Sequence, residues 1–209
     1  MLDDDQRRAF LASARRRRFA RNEVVFHEGD PGDSLHLVAK GHLAIRVTTP
    51  MGDVATVRVV RPGEFFGELA VLSPAPRNAT VVAIDAAETL AVHRDEFDQL
   101  RHDHPAVEAV LLEAMVSEVR RLAAALLDAL YVPVEKRVWR RLLDLTAVFG
   151  GDDAVVEIPL TQEDIAQVVG TTRPRVNGVL KTGEQLGFLE VRRGRLVVND
   201  VGALRAKAR

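Results

Sequence analysis

The sequence predicts an α+β protein, because three stretches of the 209-residue chain carry three different patterns. Residues 19–92 alternate short β-type runs with turn clusters, which is typical of an antiparallel β-barrel or jelly roll. Residues 161–198 show the pattern of two helices around a tight turn, followed by a basic β-hairpin. We therefore predict a β-rich domain over residues 1–105, a long helix over 106–131 and a winged helix-turn-helix domain over 132–209.

The predicted barrel is preceded by a short helix. Residues 3–17 have an amphipathic pattern, and we interpret the run Arg15–Arg18 as the solvated end of that helix. From Phe19 onward, β-type runs are separated by clusters of glycine, proline and aspartate that favour turns. The six predicted strands are Val24–Phe26, Leu35–Val38, Leu43–Val47, Val54–Val60, Thr80–Ile84 and Thr89–Val92.

A long helix is predicted after Pro105. Its apolar side chains recur in steps of four, four, three, four and four residues, at Leu111, Met115, Val119, Leu122, Leu126 and Leu130. A helix of about 25 residues is long for a small domain. This length favours a helix that runs between domains and pairs with its symmetry mate. We therefore expect a homodimer.

The C-terminal region carries start and stop signals for several elements. A helix is predicted over residues 134–149 and a strand over 155–158. Thr161 is suited to cap the next helix, with Asp164 returning the hydrogen bond in a capping box. Gly170 then ends that helix. A second helix begins at Thr171–Thr172, with Pro174 in the first turn, where the missing N–H costs nothing.

Positive charge is concentrated in this same region. From Thr171 to the C-terminus there are nine Lys and Arg against three Asp and Glu, whereas residues 1–132 hold 16 basic and 20 acidic groups. Such an asymmetry is typical of a nucleic-acid-binding module, because phosphates attract the basic segment. We expect double-stranded DNA as the partner, with the second helix in the major groove and the hairpin on phosphates. The candidate contacts are Thr161, Gln162, Thr171, Thr172, Arg173, Arg175, Asn177, Lys181, Arg193 and Arg195.

Composition excludes several other classes. The chain contains no cysteine, which excludes disulfides, thiolate zinc sites and cysteine-ligated clusters. No apolar run approaches the roughly 20 residues that span a bilayer. The N-terminus has no apolar signal-peptide core, so we expect a cytoplasmic protein without a membrane partner. The six histidines show no close metal spacing beyond His102 and His104, so we expect no metal.

A possible anion site lies in the β-rich part, in the segment RPGEFFGELAVLSPAPRNATVVA, residues 61–83. Gly67 permits close approach of the backbone, and N–H groups near a short helical turn can bind a phosphate. Arg77 supplies a guanidinium for the same anion. The Glu68 carboxylate is suited to accept a hydrogen bond from a ribose hydroxyl.

The order of these motifs resembles the Crp/Fnr family of bacterial transcription regulators over essentially the whole chain. The segments that carry the resemblance are VVFHEGDPGDSLHLVAKGHL (24–43), FGELAVL with PRNAT, and LTQEDIAQVVGTTRPRVNGVLK (160–181). The resemblance implies a dimeric regulator that binds a palindromic operator, contacts RNA polymerase and responds to a cyclic nucleotide such as cAMP. The implied ligand-binding residues are Gly67, Glu68, Leu69, Ala70, Arg77, Asn78, Ala79, Leu122 and Ala123.

The chain departs from that family pattern at two sites. When positions are counted along the sequence without gaps, Leu122 and Ala123 fall where cyclic-AMP-binding members of the family hold the adenine with hydroxyl side chains. Neither the Leu122 nor the Ala123 side chain can form a hydrogen bond to a base. In the second helix, Arg173 matches the first arginine that cyclic AMP receptors have in this helix. Pro174 replaces the glutamate that follows it in those proteins, and Gly178 replaces a later arginine. We therefore expect altered base recognition and an operator different from that of the cyclic AMP receptors.

Three alternatives remain open at this point. The same architecture can act with a different effector or with none. A cyclic-nucleotide-binding module can instead dock its helix-turn-helix on a protein, although the basic C-terminal segment argues against this. An enzyme on a cupin-like jelly roll needs a His-x-His pair with a carboxylate, whereas His36 and His42 are six residues apart. No nucleophile–base pair is apparent either, so we expect no enzyme.

Overall fold

The computed structural model of the protein describes residues 13–150 and 155–209. These residues divide into two compact units. One unit contains the chain up to Ile45 together with Val60–Leu126, and the other contains Arg46–Val59 together with Leu127–Arg209. In the described part of the chain, no helix is both long and apolar enough to cross a membrane.

The N-terminal half forms two four-stranded sheets. Their strands are β1 (Arg15–Phe19), β2 (Val24–Phe26), β3 (Ser34–Lys40), β4 (Leu43–Thr48), β5 (Val54–Val60), β6 (Phe65–Phe66), β7 (Thr80–Ala83) and β8 (Ala87–His93). The sheet orders are β1-β8-β3-β6 and β2-β7-β4-β5, and the pairings of β1 with β8, β3 with β8, β3 with β6 and β2 with β7 are antiparallel. Side chains from both sheets form one apolar core that includes Val38, Leu43, Phe66 and Val81. The β-rich fold predicted for this part of the chain is confirmed.

The helix predicted over residues 3–17 is confirmed at Ser13 but wrong from Arg15 onward. Arg15–Phe19 is an edge strand that pairs with β8, and residues 3–12 lie outside the described part. The physical reason is a distant partner. Glu88, on β8, is buried and forms ion pairs with Arg16 and Arg18, while Phe19 enters the core. A carboxylate about 70 positions away therefore compensates the charge run that looked like a solvated helix end.

Between Glu68 and Tyr131 the structure has the helices α1 (Glu68–Leu72), α2 (Arg94–Asp103) and α3 (Ala106–Tyr131). Sequence patterns did not indicate α2, which begins with a capping box formed by His93 and Glu96. The α3 helix confirms the predicted long helix. Its N-terminal part packs on its own domain, because Val107 and Leu111 are buried with Phe97. Leu111 therefore belongs to the internal core rather than to an external apolar face.

The rest of α3 exposes its apolar side chains in the single chain. Val119, Leu126 and Leu130 are 66%, 59% and 63% exposed. Fully burying such a side chain gains roughly 1.5–3 kcal/mol, so the exposed apolar side chains of this helix indicate an interaction surface.

The C-terminal half forms a winged helix-turn-helix. It consists of α4 (Val134–Phe149), β9 (Val156–Ile158), α5 (Gln162–Val169), α6 (Arg173–Gln185), β10 (Leu189–Arg192), β11 (Arg195–Val198) and α7 (Val201–Ala208). The strands form a sheet in the order β10-β11-β9. Buried Trp139 meets Phe188 edge-on, with ring centroids 5.5 Å apart, and so links α4 to the start of the hairpin.

The packing of α6 on the hairpin depends on Gly183. A Cβ at this position would lie 2.5 Å from Cδ2 and 2.8 Å from Cγ of Leu189, so the buried leucine would have to shift to admit any side chain. Leu186 caps the C-terminus of α6 and is exposed, because the helix ends at Gln185 and the chain then turns into the wing.

Candidate ligand pocket and DNA-binding surface

The candidate ligand site is built on the contact between Gly67 and Arg77. Gly67 precedes α1 with a φ of +79°, a conformation that side chains disfavour. A Cβ there would lie 2.7 Å from Nη1 of Arg77 and 3.1 Å from the carbonyl oxygen of Ser34. Glycine is therefore required both for the turn and for the approach of the guanidinium. No side chain caps α1 at Gly67, and the first N–H groups of a helix have no intrahelical partner.

The guanidinium of Arg77 is buried but only partly satisfied. Nη1 donates to the carbonyl oxygen of Gly67 at 3.1 Å, and Nη2 donates to Oγ of Ser34 at 3.0 Å. The flat face lies 4.0 Å from the ring centre of Phe26. The Nε atom is buried without a hydrogen-bond partner among the described residues. Burial lowers the pKa of Arg77, and the nearby carboxylate of Asp33 opposes this shift.

The other predicted pocket residues differ in exposure. Glu68 begins α1 and is half-buried, Ala70 and Ala79 are buried, and Leu69 and Asn78 are exposed. Leu122 and Ala123 lie on the exposed part of α3, outside the contacts around Arg77. The structure therefore brings Gly67, Glu68 and Arg77 together and does not bring Leu122 and Ala123 to them.

Sequence reasoning missed three residues around the guanidinium: Phe26, Ser34 and His36. No local signal marks them, because they join the site through strand pairing. His36 is fully buried and stacks on Phe66 with ring centroids 5.0 Å apart. Burial, and then the positive charges of Arg77 and Arg17, lower the pKa of His36 from its ordinary value of 6.5 to about 3, with Asp33 acting in the opposite direction.

This depressed pKa predicts acid sensitivity. The unfolded chain binds a proton on His36 near pH 6.5, whereas the folded chain does so only near pH 3. The neutral histidine therefore contributes its full share to the free energy of unfolding above pH 6.5, and this contribution is lost as the pH falls below 6.5. Acidification from pH 7.5 to 5 should remove about 2 kcal/mol of unfolding free energy through this residue. Denaturant unfolding at both pH values should show a smaller loss for His36→Gln than for wild type. Equal losses in the two proteins would show that His36 is not the responsible group.

The start of the helix-turn-helix confirms its predicted capping. Oγ1 of Thr161 accepts from the N–H of Asp164 at 3.1 Å, and Oδ2 of Asp164 accepts from the N–H of Thr161 at 2.9 Å. Gly170 ends α5 with a φ of +71°, and Thr172 occupies the N-cap position of α6 without a capping hydrogen bond from its side chain.

The side chains of α6 extend outward as the spacing predicted. Arg173, Arg175 and Lys181 are exposed, and Asn177 is half-buried and accepts from Nε2 of Gln162 at 3.4 Å. Thr171 is half-buried and Thr172 exposed. A groove of about 440 Å³ lies between α5, α6 and the wing, and its lining includes five of the ten predicted DNA contacts: Thr161, Gln162, Arg173, Arg193 and Arg195.

The arginines of the wing differ in their partners. Arg192 pairs with Glu190 at 2.8 Å, and this hydrogen bond lowers the pKa of Glu190. Nη1 of Arg195 pairs with Glu157 at 3.1 Å. Arg193 has no carboxylate partner within the described part of the wing and its surroundings. An incoming phosphate thus meets one unpaired arginine and two that already have an anionic neighbour.

Comparison with known proteins identifies the family. The model of the cyclic nucleotide-binding domain matches residues 16–104, and that of the Crp-like helix-turn-helix domain matches residues 136–207. The CRP-like cAMP-activated global transcriptional regulator of Mycobacterium tuberculosis (strain CDC 1551 / Oshkosh) is 31% identical over 194 residues, which is 91% of this chain and 87% of that protein. This chain belongs to the Crp/Fnr family.

Two further proteins show how far the likeness extends. The cyclic AMP receptor protein of Thermus thermophilus is 31% identical to this Crp/Fnr regulator over 198 residues, 93% of this chain and 88% of that protein. The solved structure of the c-di-GMP responsive global regulator CLP of Xanthomonas campestris has a TM-score of 0.80 at 21% identity, and covers 94% of this chain and 99% of that one. The latter similarity concerns the fold. The family consists of DNA-binding transcription regulators that act as dimers, not of enzymes.

Proposed function

We propose that this Crp/Fnr regulator binds a cyclic nucleotide at Gly67, Glu68 and Arg77, and that as a homodimer it binds a palindromic operator and contacts RNA polymerase. The observation that carries the ligand proposal is the buried guanidinium of Arg77, whose Nε–H has no partner among the described residues. A buried donor without an acceptor costs roughly 1–3 kcal/mol, which a phosphate oxygen at this position recovers.

The residues present fit a cyclic phosphate. Arg77 supplies the positive charge, and its two Nη groups are already oriented by Gly67 and Ser34. The turn at Gly67 and the uncapped start of α1 add backbone N–H donors for the remaining phosphate oxygens. Leu69, Ala70, Asn78 and Ala79 flank these groups in the chain and contribute backbone contacts in this proposal. Glu68 adds a carboxylate that can accept from the ribose hydroxyl.

Base recognition is the weak part of this pocket. Leu122 and Ala123 offer the base van der Waals contact but no side-chain hydrogen bond, so purines with different polar edges should bind similarly. Calorimetric titration with cAMP, cGMP and a cyclic dinucleotide tests this directly. We expect micromolar or tighter binding with less than about a hundredfold preference between adenine and guanine, or roughly 2.7 kcal/mol.

The same titration separates the proposed effectors. The names of two relatives refer to cyclic AMP and that of a structural neighbour to c-di-GMP, so one architecture serves more than one effector. Tight binding of the dinucleotide alone would favour a different effector. Absence of binding by all three would leave the regulator without a cyclic nucleotide ligand and contradict the proposal.

DNA recognition is assigned to α6 and the wing. In a dimer with two-fold symmetry, the two α6 helices enter successive major grooves about 34 Å apart. Arg173 at the N-terminus of α6 is exposed and can donate both Nη groups to one guanine. Arg175 and Asn177 occupy the next outward positions, and Thr161, Gln162, Thr171, Thr172 and Lys181 surround them.

Alanine variants should separate base reading from phosphate binding. Arg173→Ala should lower affinity for the operator by about 1–3 kcal/mol and relax preference at one base pair of each half-site. Arg193→Ala should weaken binding to operator DNA and to scrambled DNA about equally. It should also lower the slope of log affinity against log salt concentration by about one for each phosphate that the variant no longer binds. Arg195→Ala should cost less than Arg193→Ala, because Arg195 must leave Glu157 to bind DNA.

Binding isotherms at several salt concentrations measure these differences. Arg205→Ala, which removes an exposed arginine of α7, serves as the control for charge alone. If Arg173→Ala lowers the affinity for operator DNA and for scrambled DNA equally, α6 does not recognise the base sequence through this residue.

A further inference from the structure

One buried side chain beside the pocket has no role in the function proposed so far. His36 lies on β3 and is completely enclosed, with its ring stacked on Phe66. Both ring nitrogens nevertheless have polar neighbours. Nδ1 lies 3.1 Å from Oγ1 of buried Thr89, and Nε2 lies 3.4 Å from Oγ of Ser34. The histidine therefore connects the interior of the sheet to the edge of the pocket.

Ser34 continues this connection to the phosphate-binding arginine. Its Oγ accepts from Nη2 of Arg77 at 3.0 Å and lies 3.0 Å from Oδ1 of Asp33. A serine hydroxyl has one proton and two lone pairs, whereas an ionised carboxylate only accepts. The proton of Ser34 is therefore donated to Asp33. One lone pair then accepts from Arg77, and the other is left for His36.

These constraints fix the direction of each hydrogen bond in the series that joins Thr89, His36, Ser34 and Asp33. Since Ser34 can offer His36 only a lone pair, Nε2 of His36 must carry the proton and donate it. Neutral imidazole has one N–H, so Nδ1 is bare and accepts from the hydroxyl of Thr89. All four side chains, Thr89, His36, Ser34 and Asp33, then have complementary partners in the order given.

We propose that His36 is a positioning residue for the ligand-binding arginine: fixed by Thr89, it donates from Nε2 to Ser34, and Ser34 holds the guanidinium of Arg77 in its binding orientation. The effect on ligand affinity rests on the proposed function. The tautomer and the immobilised guanidinium are properties of the ligand-free protein and do not depend on it.

The hydrogen bonds that lead from Thr89 through His36 and Ser34 to Arg77 form a relay, and the geometry around Arg77 explains what this relay achieves. Gly67 holds Nη1, Ser34 holds Nη2, and Phe26 covers one face, so rotation about the Nε–Cζ bond is blocked. The Nε–H is the donor left without a partner in the described residues. A site whose donors are already oriented loses less conformational entropy when a ligand binds. The depressed pKa of His36 keeps its ring neutral, so no second cation stands beside Arg77.

Nitrogen-15 NMR of the full-length, ligand-free protein at pH 7 tests the relay directly. We expect the His36 ring to give the pattern of a neutral imidazole protonated at Nε2, and the Nη groups of Arg77 to give separate signals through slow rotation. The Nη signals of Arg77 should merge in Ser34→Ala, and also in His36→Phe, a variant that keeps the ring stacked on Phe66. A ring protonated at Nδ1, or separate Nη signals in Ser34→Ala, would overturn the proposal even if a variant folds poorly.

Calorimetry with cAMP as the probe tests the consequence for binding. His36→Phe and Ser34→Ala should each raise Kd about tenfold or more, and Ser34→Thr, which retains the hydroxyl, should restore Kd to within about threefold of wild type. His42→Phe is the matched control, because this histidine pairs with Asp85 outside the network and should leave Kd unchanged. Wild-type affinity in both His36→Phe and Ser34→Ala would contradict the relay. If wild type itself fails to bind cAMP, the proposed effector is wrong, and the NMR result alone decides the relay.

Discussion

Replacing Leu122 and Leu126 together by glutamate should convert the dimer into monomers and abolish operator binding. Both side chains are about half exposed on α3 in the single chain and belong to its apolar ladder. Burying one leucine gains roughly 1.5–3 kcal/mol, and a dimer buries four of these side chains. Glutamate removes this gain and places like charges across the two-fold axis. Because these side chains are already half buried, the lost burial amounts to about 3–6 kcal/mol, and the charge repulsion adds to it, which is a large part of the roughly 8 kcal/mol that holds a dimer of micromolar affinity.

Sedimentation and operator binding measure this outcome. The control is Ser117→Glu with Ala124→Glu, which adds the same charge seven residues apart on the opposite, exposed side of α3. The control should remain dimeric and bind DNA. A wild-type protein that sediments as a monomer at micromolar concentration would rule out an interface on α3.

Arg77→Ala should have the largest effect on the proposed ligand site. It removes the buried cation and leaves the phosphate without its charge-assisted hydrogen bonds, which should raise the Kd for cAMP more than a hundredfold. Glu68→Ala should cost less, because it removes a single hydrogen bond to a neutral hydroxyl. Arg77→Lys should fall between wild type and alanine, since lysine retains the charge but lacks the planar fork that Gly67 and Ser34 hold.

Calorimetry of these variants needs a test of folding beside it. Arg61→Ala changes an exposed arginine at a turn of the same domain and should bind cAMP as wild type does. Thermal unfolding identifies any variant whose loss of binding follows from loss of structure. If folded Arg77→Ala retains wild-type affinity, the phosphate is bound elsewhere.

Much of the architecture is predictable from the sequence because its signals are local. The strand Val54–Val60, the capping box at Thr161 and the end of α5 at Gly170 were predicted and found. The edge strand Arg15–Phe19 was not predicted, because its stability depends on Glu88 in a distant strand. The helix α2 was missed because a histidine, which is not among the preferred capping residues, begins it.

The candidate site shows the same division. Gly67 and Arg77 are recognisable because they lie ten residues apart in one segment, and the structure places them in contact. Ser34, His36 and Thr89 join them only through the pairing of β3 with β8. Similarly, the apolar ladder on α3 does not reveal that Leu111 faces its own domain. Such contacts are determined by tertiary packing, and periodicity alone does not contain them.

Operator affinity measured with and without a cyclic nucleotide shows whether the site at Gly67 and Arg77 controls DNA binding. An operator selected from random DNA should be titrated with wild type and with Arg77→Ala, each in the absence and presence of saturating cAMP. If the Gly67–Arg77 pocket controls DNA binding, cAMP should change the operator Kd of wild type by about 5–150-fold, the usual range of coupling between two sites, and leave that of Arg77→Ala unchanged. An operator Kd that does not respond to cAMP in wild type, or responds equally in both proteins, would contradict the account.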